Sequence, residues 1–413
     1  MLFANREPVH VVYGGAHLFK HDTPQKLGRI ALNSIETYAL TPANLAEAMG
    51  LSGDDALIRK VFEGTRRKLA TEPVEDFRID FEDGYGIRPN DEEDAHAKSA
   101  AVELARSIAE KTSTAFTGFR IKAFSDATRE RAKRTLHIFL SRLLESNKGA
   151  VPEHFSVTLP KVTNVAEVAS LDRELAQFEN EHGIASRSIE VELMIETPAA
   201  IFDSDGRVLL PRLIGAANGR CASAHFGAYD YTSALGISAK HQGLHHPACD
   251  FARNMMLATL APLGIRLVDS VTTVIPAPPH RGRDLTEDQK CENREVVHRA
   301  WKMHFDNVLY SMSNGFYQSW DLHPNQLVAR FAAVNYFYLN GFNEQAERLK
   351  NYSENAAQAT LTGTAFDDAA SARGVVNFFL RGLNCGALTE KEIESKSGLN
   401  RSRLTDLFPE TDN

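Results

Sequence analysis

The sequence runs to 413 residues, 43% of them hydrophobic and 24% charged, with a formal net charge of −8. That is an ordinary globular composition, long enough for one large barrel with a smaller appended piece or for two to three small domains. The acidic balance with scattered Lys and Arg speaks against nucleic acid as a partner. No run approaches the apolar length of a membrane span, and four distant cysteines (Cys221, Cys249, Cys291, Cys385) form neither a zinc motif nor a disulfide scaffold, so a reducing, cytoplasmic compartment is expected.

The chain opens on MLFANREPVHVV, where Arg6 and Glu7 interrupt any secretory apolar core. Short apolar runs then recur: HVVYGGAHLF (10–19), FRIDFE (77–82), FTGFRIKAF (116–124), FSVTLPKV (155–162), IEVELMIE (189–196), ASAHFGAYD (222–230), IRLVDSVTTVI (265–275) and GFYQSWDL (315–322). Each is rich in β-branched or aromatic residues, as a buried parallel strand should be. Amphipathic helices are expected between them at 92–111, 129–146 and 166–183, the last stopping at Gly183. Eight strands with intervening helices predict an α/β fold, a (β/α)8 TIM barrel. A doubly wound open sheet is the alternative, unsupported by any glycine-rich dinucleotide fingerprint. Residues 1–342 form the predicted barrel, with a helical insertion at 23–75. Residues 343–413 are expected to be a C-terminal helical extension acting as a cap or lid. Its segment 388–404 has the look of a helix-turn-helix, but the acidic chain favours packing on the barrel over DNA binding.

In such a barrel, catalytic side chains stand at the carboxyl ends of the strands. Those positions carry Glu82, Asp83, Arg120, Lys161, Glu196, Asp230 and Asp269, spaced by about one βα unit, so they should converge on one rim. A carboxylate ending an apolar strand is costly to bury unless paired or metal-bound. Glu196 in VELMIETPAAI and Asp230 in HFGAYDYT supply two hard oxygen ligands suited to Mg²⁺; ion pairing with Arg120 or Lys161, or helix capping, is the structural alternative. Arg120 can hold a carboxylate or enolate oxygen in its planar fork, or bridge to Glu82 or Asp83. Lys161 beside so many acids is expected to neutralise them rather than to form a Schiff base. IDFEDGYG (79–86) packs three carboxylates into five positions and calls for a cation or tuned protonation. Gly14 and Gly15 in YGGAHLF allow close backbone approach of a substrate. His17 is a weak acid/base candidate, His225 a core histidine, and HHPACD (245–250) lacks the spacing of a metal pair.

Taken in order, IDFEDGYG, GFRIKAF, LPKV, MIETPAAI, HFGAYDYTSALGI, HPACDFARNMMLATLAPLGIRLVDS and WDLHPNQL resemble the HpcH/HpaI aldolase/citrate lyase family across roughly residues 76–330. The resemblance implies Glu196 and Asp230 as ligands of Mg²⁺ or Mn²⁺. It implies Arg120 as the group holding a substrate carbonyl or carboxylate, and Glu82 and Asp83 as acids holding metal-bound water. Asp83 stands where the HpaI-type aldolases have His, which points to the lyase branch. The implied activity is carbon–carbon cleavage or formation on a 2-oxo acid or hydroxyacyl substrate, with a CoA thioester left open. An acyl-CoA condensing or thioester-hydrolysing enzyme, and a non-catalytic metabolite sensor, are the competing readings. The implied partners are a small carboxylate and further copies of the chain, as a trimer or hexamer.

Overall fold

The computed structural model describes residues 6–354, 360–362, 365–367 and 369–407. The chain enters at β1 (His10–Gly15) and makes three helices, α1 (Thr23–Tyr38), α2 (Pro42–Met49) and α3 (Asp55–Thr71), before β2 (Asp76–Asp80). It then alternates: α4 (Asn90–Ala109), β3 (Phe116–Arg120), α5 (Arg129–Ser146), β4 (Phe155–Leu159), α6 (Val165–His182) and β5 (Glu190–Ile195). Two short helices, α7 (Pro198–Ile201) and α8 (Leu210–Ala216), lead to β6 (Cys221–Phe226). After α9 (Ala228–Ala234) and α10 (Pro247–Leu260) come β7 (Arg266–Asp269), α11 (Glu287–Ser313), β8 (Gln318–Asp321) and α12 (Gln326–Glu354). The eight strands close in sequence order, all parallel, with β8 pairing back onto β1. This is the (β/α)8 barrel the alternating runs predict.

The sequence patterns explain the element ends. α6 begins where the Asn164 side chain accepts from the Glu167 amide, and it stops at Gly183, whose φ of +64° is the left-handed conformation of a helix C-terminus. α3 starts on Asp54, capping Leu57 N–H, with Asp55 in its first turn and Lys68 in its last. The strands are shorter than the apolar runs, because the final residues of each run turn off the barrel to build the rim.

The insertion at 23–75 is helical and fills the crossover between β1 and β2. α12 runs without a break across position 342, so the extension begins inside a helix. Beyond it lie a small antiparallel pair, β9 (Thr360–Thr362) and β10 (Ala365–Asp367), then α13 (Ala369–Asn384), α14 (Glu390–Ser397) and α15 (Arg401–Asp406). Residues 408–413 of the expected extension, and 1–5 of the barrel segment, lie outside the described residues. Within 388–404 two short helices flank Gly398, with Thr389 capping α14 and Asn400 capping α15. Arg381 bonds Glu7 at 2.7 Å, its guanidinium lies 4.0 Å from the Tyr317 ring, and Lys60 of α3 bonds Glu392 at 2.8 Å. Glu7 and Tyr317 precede β1 and β8. The extension therefore packs against the amino ends of the strands and the flank of the barrel, away from the carboxyl-end rim. No helix among the described residues is long and apolar enough to cross a membrane.

The barrel interior is unusually polar. Where such barrels are commonly filled by branched aliphatics, one layer here is Asp76, Arg78, Glu192, Ser223, His225 and Gln318, all buried. Arg78 pairs with Asp76 and Glu192, and Glu192 also takes His225 Nε2. Tyr13, Val11, Val268 and Trp320 form the small apolar cluster beside it.

Candidate active site

Side chains alternate across each strand, so Asp76, Arg78 and Asp80 of β2 face the interior, as do Glu192 and Met194 of β5, with Glu196 one step past its end. The rim begins with Asp80. Its carboxylate receives both Nε and Nη2 of Arg120 at 2.7 and 2.6 Å, the bidentate geometry that suits guanidinium. The same oxygens accept the Glu82 and Gly84 amides at 2.9 and 2.7 Å, folding the acidic loop back over the strand end. The sequence had Glu82 or Asp83 as the bridging partner of Arg120. Both lie within ion-pair reach of it, and the bidentate bridge goes in addition to Asp80, because Asp80 and Arg120 are register partners across β2 and β3. That pairing was hidden in IDFEDGYG, whose first acid attracted no role.

Arg120 retains Nη1, which lies 3.3 Å from Glu82, 3.7 Å from Asp83 and 3.4 Å from Met194 Sδ. Its guanidinium sits 4.9 Å from the Tyr13 ring and 5.7 Å from the Trp320 ring. Burial opposes charge on this buried Arg, but Asp80 and Glu82 outweigh it and hold its pKa above the usual value. Lys161 bonds Glu82, and Asp83 at 3.0 Å. Burial pulls its pKa down and the two acids more than reverse that, so the ammonium is retained. A Schiff-base lysine needs the opposite shift.

Lys161 has φ +52°, a left-handed conformation that a side chain adopts only under constraint. The constraint is visible, since its amide donates to Glu196 Oε1 at 2.7 Å. Glu196 is 1% exposed. Burial is the main force on it, with Asp230 and Glu82 adding to the push that Arg120 and the Lys161 amide oppose, and its pKa rises to about 8. Gly227 makes the carboxylate's position available: a Cβ there would lie 2.5 Å from both Glu196 Cβ and Oε2. Asp230 is exposed in the first turn of α9 rather than on a strand. Glu82 is raised above its usual range by burial, with Arg120 opposing. At Asp83 burial acts in the same sense, yet hydrogen bonding to Glu82 and the nearby cations bring it below.

Glu82, Asp83, Lys161, Glu196 and Asp230 all open onto one cleft of about 810 Å³ at the carboxyl end of the barrel. Arg120 lies beneath its acidic wall. Four of the other positions, Asp269, Gly14, Gly15 and His17, fall elsewhere. Asp269 bonds Arg253 at 3.2 Å and Ser311 at 2.6 Å outside the barrel, because its neighbour Val268 takes the inward place on β7. Gly14 and Gly15 line a separate apolar pocket beside β1. His17 packs against Tyr85 and His96, with ring centroids 5.6 and 6.1 Å away. His225 is the satisfied core residue its strand position predicts, held by Tyr13 Oη at 3.0 Å, Ser223 at 3.1 Å and Glu192.

Among the described residues, no group of three or more His, Cys, Asp and Glu side chains is arranged as a ready metal cluster. The donor chemistry at Glu196 and Asp230 nevertheless fits a hard divalent cation, which needs only one or two carboxylates with the remaining positions open. Around them five carboxylates, Asp80 included, face two cations, Arg120 and Lys161.

Residues 3–409 match the model of a family described as a domain of unknown function, DUF6986, and the chain belongs to that family. None of the curated proteins matches the sequence. Among solved structures, a citrate lyase from Burkholderia xenovorans LB400 shares the fold at 18% identity and TM-score 0.58, over 96% of this chain and 98% of that one. A malate synthase from Haloferax volcanii, solved as a pyruvate/acetyl-CoA ternary complex, matches at 15% identity and TM-score 0.49, over 98% of this chain and 99% of that one.

Proposed function

We propose that this chain is a divalent-metal-dependent carbon–carbon lyase or aldolase, acting on a 2-oxo acid or hydroxyacyl substrate through an enolate. The observation that carries the reading is the excess of acid at one cleft: Glu82, Asp83, Glu196 and Asp230 open onto it with Glu196 buried, and Arg120 does not offset the burial that raises the Glu196 pKa. Mg²⁺ or Mn²⁺ held by Glu196 and Asp230 would supply the offsetting charge and polarise substrate oxygens as a Lewis acid.

The chain's own groups divide the remaining work. Asp80 fixes Arg120 through two nitrogens and leaves Nη1 for an oxygen that gains charge as the bond breaks. A donor so preorganised spends no reorganisation on the transition state. Glu82, 3.3 Å from that nitrogen and with raised proton affinity, takes the hydroxyl proton of a substrate undergoing cleavage. The electron pair of the breaking carbon–carbon bond passes into the enolate facing Arg120, and the same steps reversed describe condensation. Lys161 keeps Glu82 and Asp83 from repelling an anionic substrate.

The test is isothermal titration of metal-stripped protein with pyruvate, glyoxylate and oxaloacetate, with and without Mg²⁺. Binding that needs Mg²⁺ and vanishes in Glu196→Gln is expected. Binding that ignores the metal, or survives that substitution, sinks the assignment.

A further inference from the structure

The barrel mouth is chemically divided. Loops following β2 through β6 bring the acids, Arg120 and Lys161. Loops following β7, β8 and β1 instead expose Val274, Ile275, Leu322 and Leu18. Between the last two lies a pocket of about 160 Å³, lined by Tyr13, Gly14, Gly15, Phe19, Leu27 and Leu322 among others. No carboxylate, Lys or Arg side chain borders it. Its imidazole, His323, accepts the Asn325 amide on Nδ1 at 3.2 Å, and burial lowers its pKa, so the ring is neutral and presents an Nε2–H.

The pocket and the acid cleft have no lining residue in common, but two residues of the pocket wall touch the acid rim. Tyr13 lines the pocket while its ring lies 4.9 Å from the Arg120 guanidinium. Gly15 lines it, is the register partner of Asp80, and would place a Cβ 2.4 Å from Gly84 O in the acidic loop. Any side chain at Gly15 would therefore wedge the pocket away from that loop.

We propose that the pocket receives an apolar substituent, phenyl-sized or branched aliphatic, carried by the acid that binds at the neighbouring carboxylate cleft. The inference rests on the reading of that cleft given above and adds the class of substrate. Size supports it, since an apolar cavity of about 150 Å³ accommodates benzene. Chemistry supports it as well. A charged end has no partner in this lining and must stay at the rim, whereas an apolar end leaves water there. Exposed leucines at the lip are the kind of surface that marks a binding groove.

Each buried methylene is worth about a fourfold gain in affinity. The Mg²⁺-loaded full-length protein is titrated with pyruvate, 2-oxobutanoate, 4-methyl-2-oxopentanoate and phenylpyruvate. 2-Oxobutanoate is expected to bind about fourfold more tightly than pyruvate, and the branched and aromatic acids at least about tenfold, by that same increment. The preference should disappear in Leu27→Trp, which fills the pocket, and in Leu322→Glu, which charges its lip, while pyruvate affinity stays unchanged in both. Equal affinities across the series, or a preference that survives both variants, overturn the proposal and leave the carboxylate cleft standing. If no oxo acid binds, the lyase reading fails, and benzyl alcohol reads the pocket alone. Binding of that alcohol that Leu27→Trp abolishes supports the pocket, and no binding overturns it.

Discussion

Glu192 and Glu196 stand four residues apart along one strand line, both buried inside the barrel, and they are driven in opposite directions. Burial pushes both upward. At Glu192 the charges of Arg78 and His225 outweigh it and hold the carboxyl well below its usual range. At Glu196 no adjacent cation does so, Asp230 and Glu82 add their repulsion, and the pKa reaches about 8. The lower layer is thus a closed structural network in which every acid has a base or donor. The upper layer is an open one whose acids outnumber their partners. Burial alone separates nothing here, since the two residues are alike in it. The balance of neighbouring charge sets the two glutamates apart, and under the proposed function it marks Glu196 as the one that would hold a cation.

The sharpest way to break this comparison is to neutralise one member of each pair. Glu196→Gln is expected to weaken Mg²⁺ binding by more than about 100-fold, beyond what residues that only orient a ligand contribute. Mg²⁺-dependent turnover should fall with it. Titration calorimetry with Mg²⁺ reads the first effect directly. Arg78→Met, in the lower layer, strands Asp76 and Glu192 and should cost roughly 3–5 kcal/mol of stability, read as a lowered urea midpoint. It should leave Mg²⁺ affinity unaltered in the folded fraction. If Arg78→Met abolished metal binding at full stability, the division into layers would be wrong.

The two glutamates also predict different pH behaviour. Glu196 has a raised folded pKa, so its native state holds a proton that the unfolded chain releases near 4.5. The associated stability is present below that value and is lost as pH rises toward 8, by roughly 5 kcal/mol at about 1.4 kcal/mol per unit. Metal-free wild type should therefore lose stability across that window, Glu196→Gln should lose less, and Mg²⁺ should restore the wild type. Glu192 is depressed, so its contribution is present above 4.5 and is lost as pH falls below it. Thermal melts from about pH 2 to 9 check both limbs. A flat wild-type profile above pH 5 would falsify the upper-layer assignment. Gly227→Ala is expected to act on the same carboxylate more mildly, because its Cβ must displace Glu196 from 2.5 Å. A stability loss of about 1–3 kcal/mol, the usual scale of overpacking, should come with a measurable drop in Mg²⁺ affinity.

Much of this was legible in the sequence because barrel chemistry is periodic. Apolar runs at βα intervals gave the eight strands, and the acids at their ends gave Glu82, Asp83, Glu196 and Asp230, which share the cleft. What failed to show was anything set by pleat parity or by register between distant strands. Asp269 ended a strand like the others but points outward, to Arg253. Asp80 sat in plain view among three acids, yet its bond to Arg120 depends on a pairing across 40 residues. The polar lower layer was equally hidden, since Arg78 and Glu192 read as isolated charges in apolar runs until the barrel closes. Gly14 and Gly15 allow close backbone approach, and they border an apolar pocket, with Gly15 also backed against Gly84 of the acidic loop.

Tyr13 touches both layers, and it gives the smallest and most discriminating test. Its ring lies 4.9 Å from the Arg120 guanidinium above, and its hydroxyl meets His225 Nδ1 at 3.0 Å below. Tyr13→Phe keeps the aromatic face toward Arg120 and removes only the hydroxyl. His225 Nε2 retains Ser223 and Glu192, but Nδ1 loses the Tyr13 hydroxyl, and a buried polar atom left unpaired costs about 1–3 kcal/mol. The urea midpoint should therefore fall, while Mg²⁺ affinity and the affinity for a 2-oxo acid stay at wild-type values. If the layers are instead coupled, loss of the hydroxyl would let Tyr13 move against Arg120, and oxo-acid affinity would drop while Mg²⁺ affinity held. That split, measured by titration on one variant, separates a barrel whose polar core merely supports the rim from one whose core tunes it.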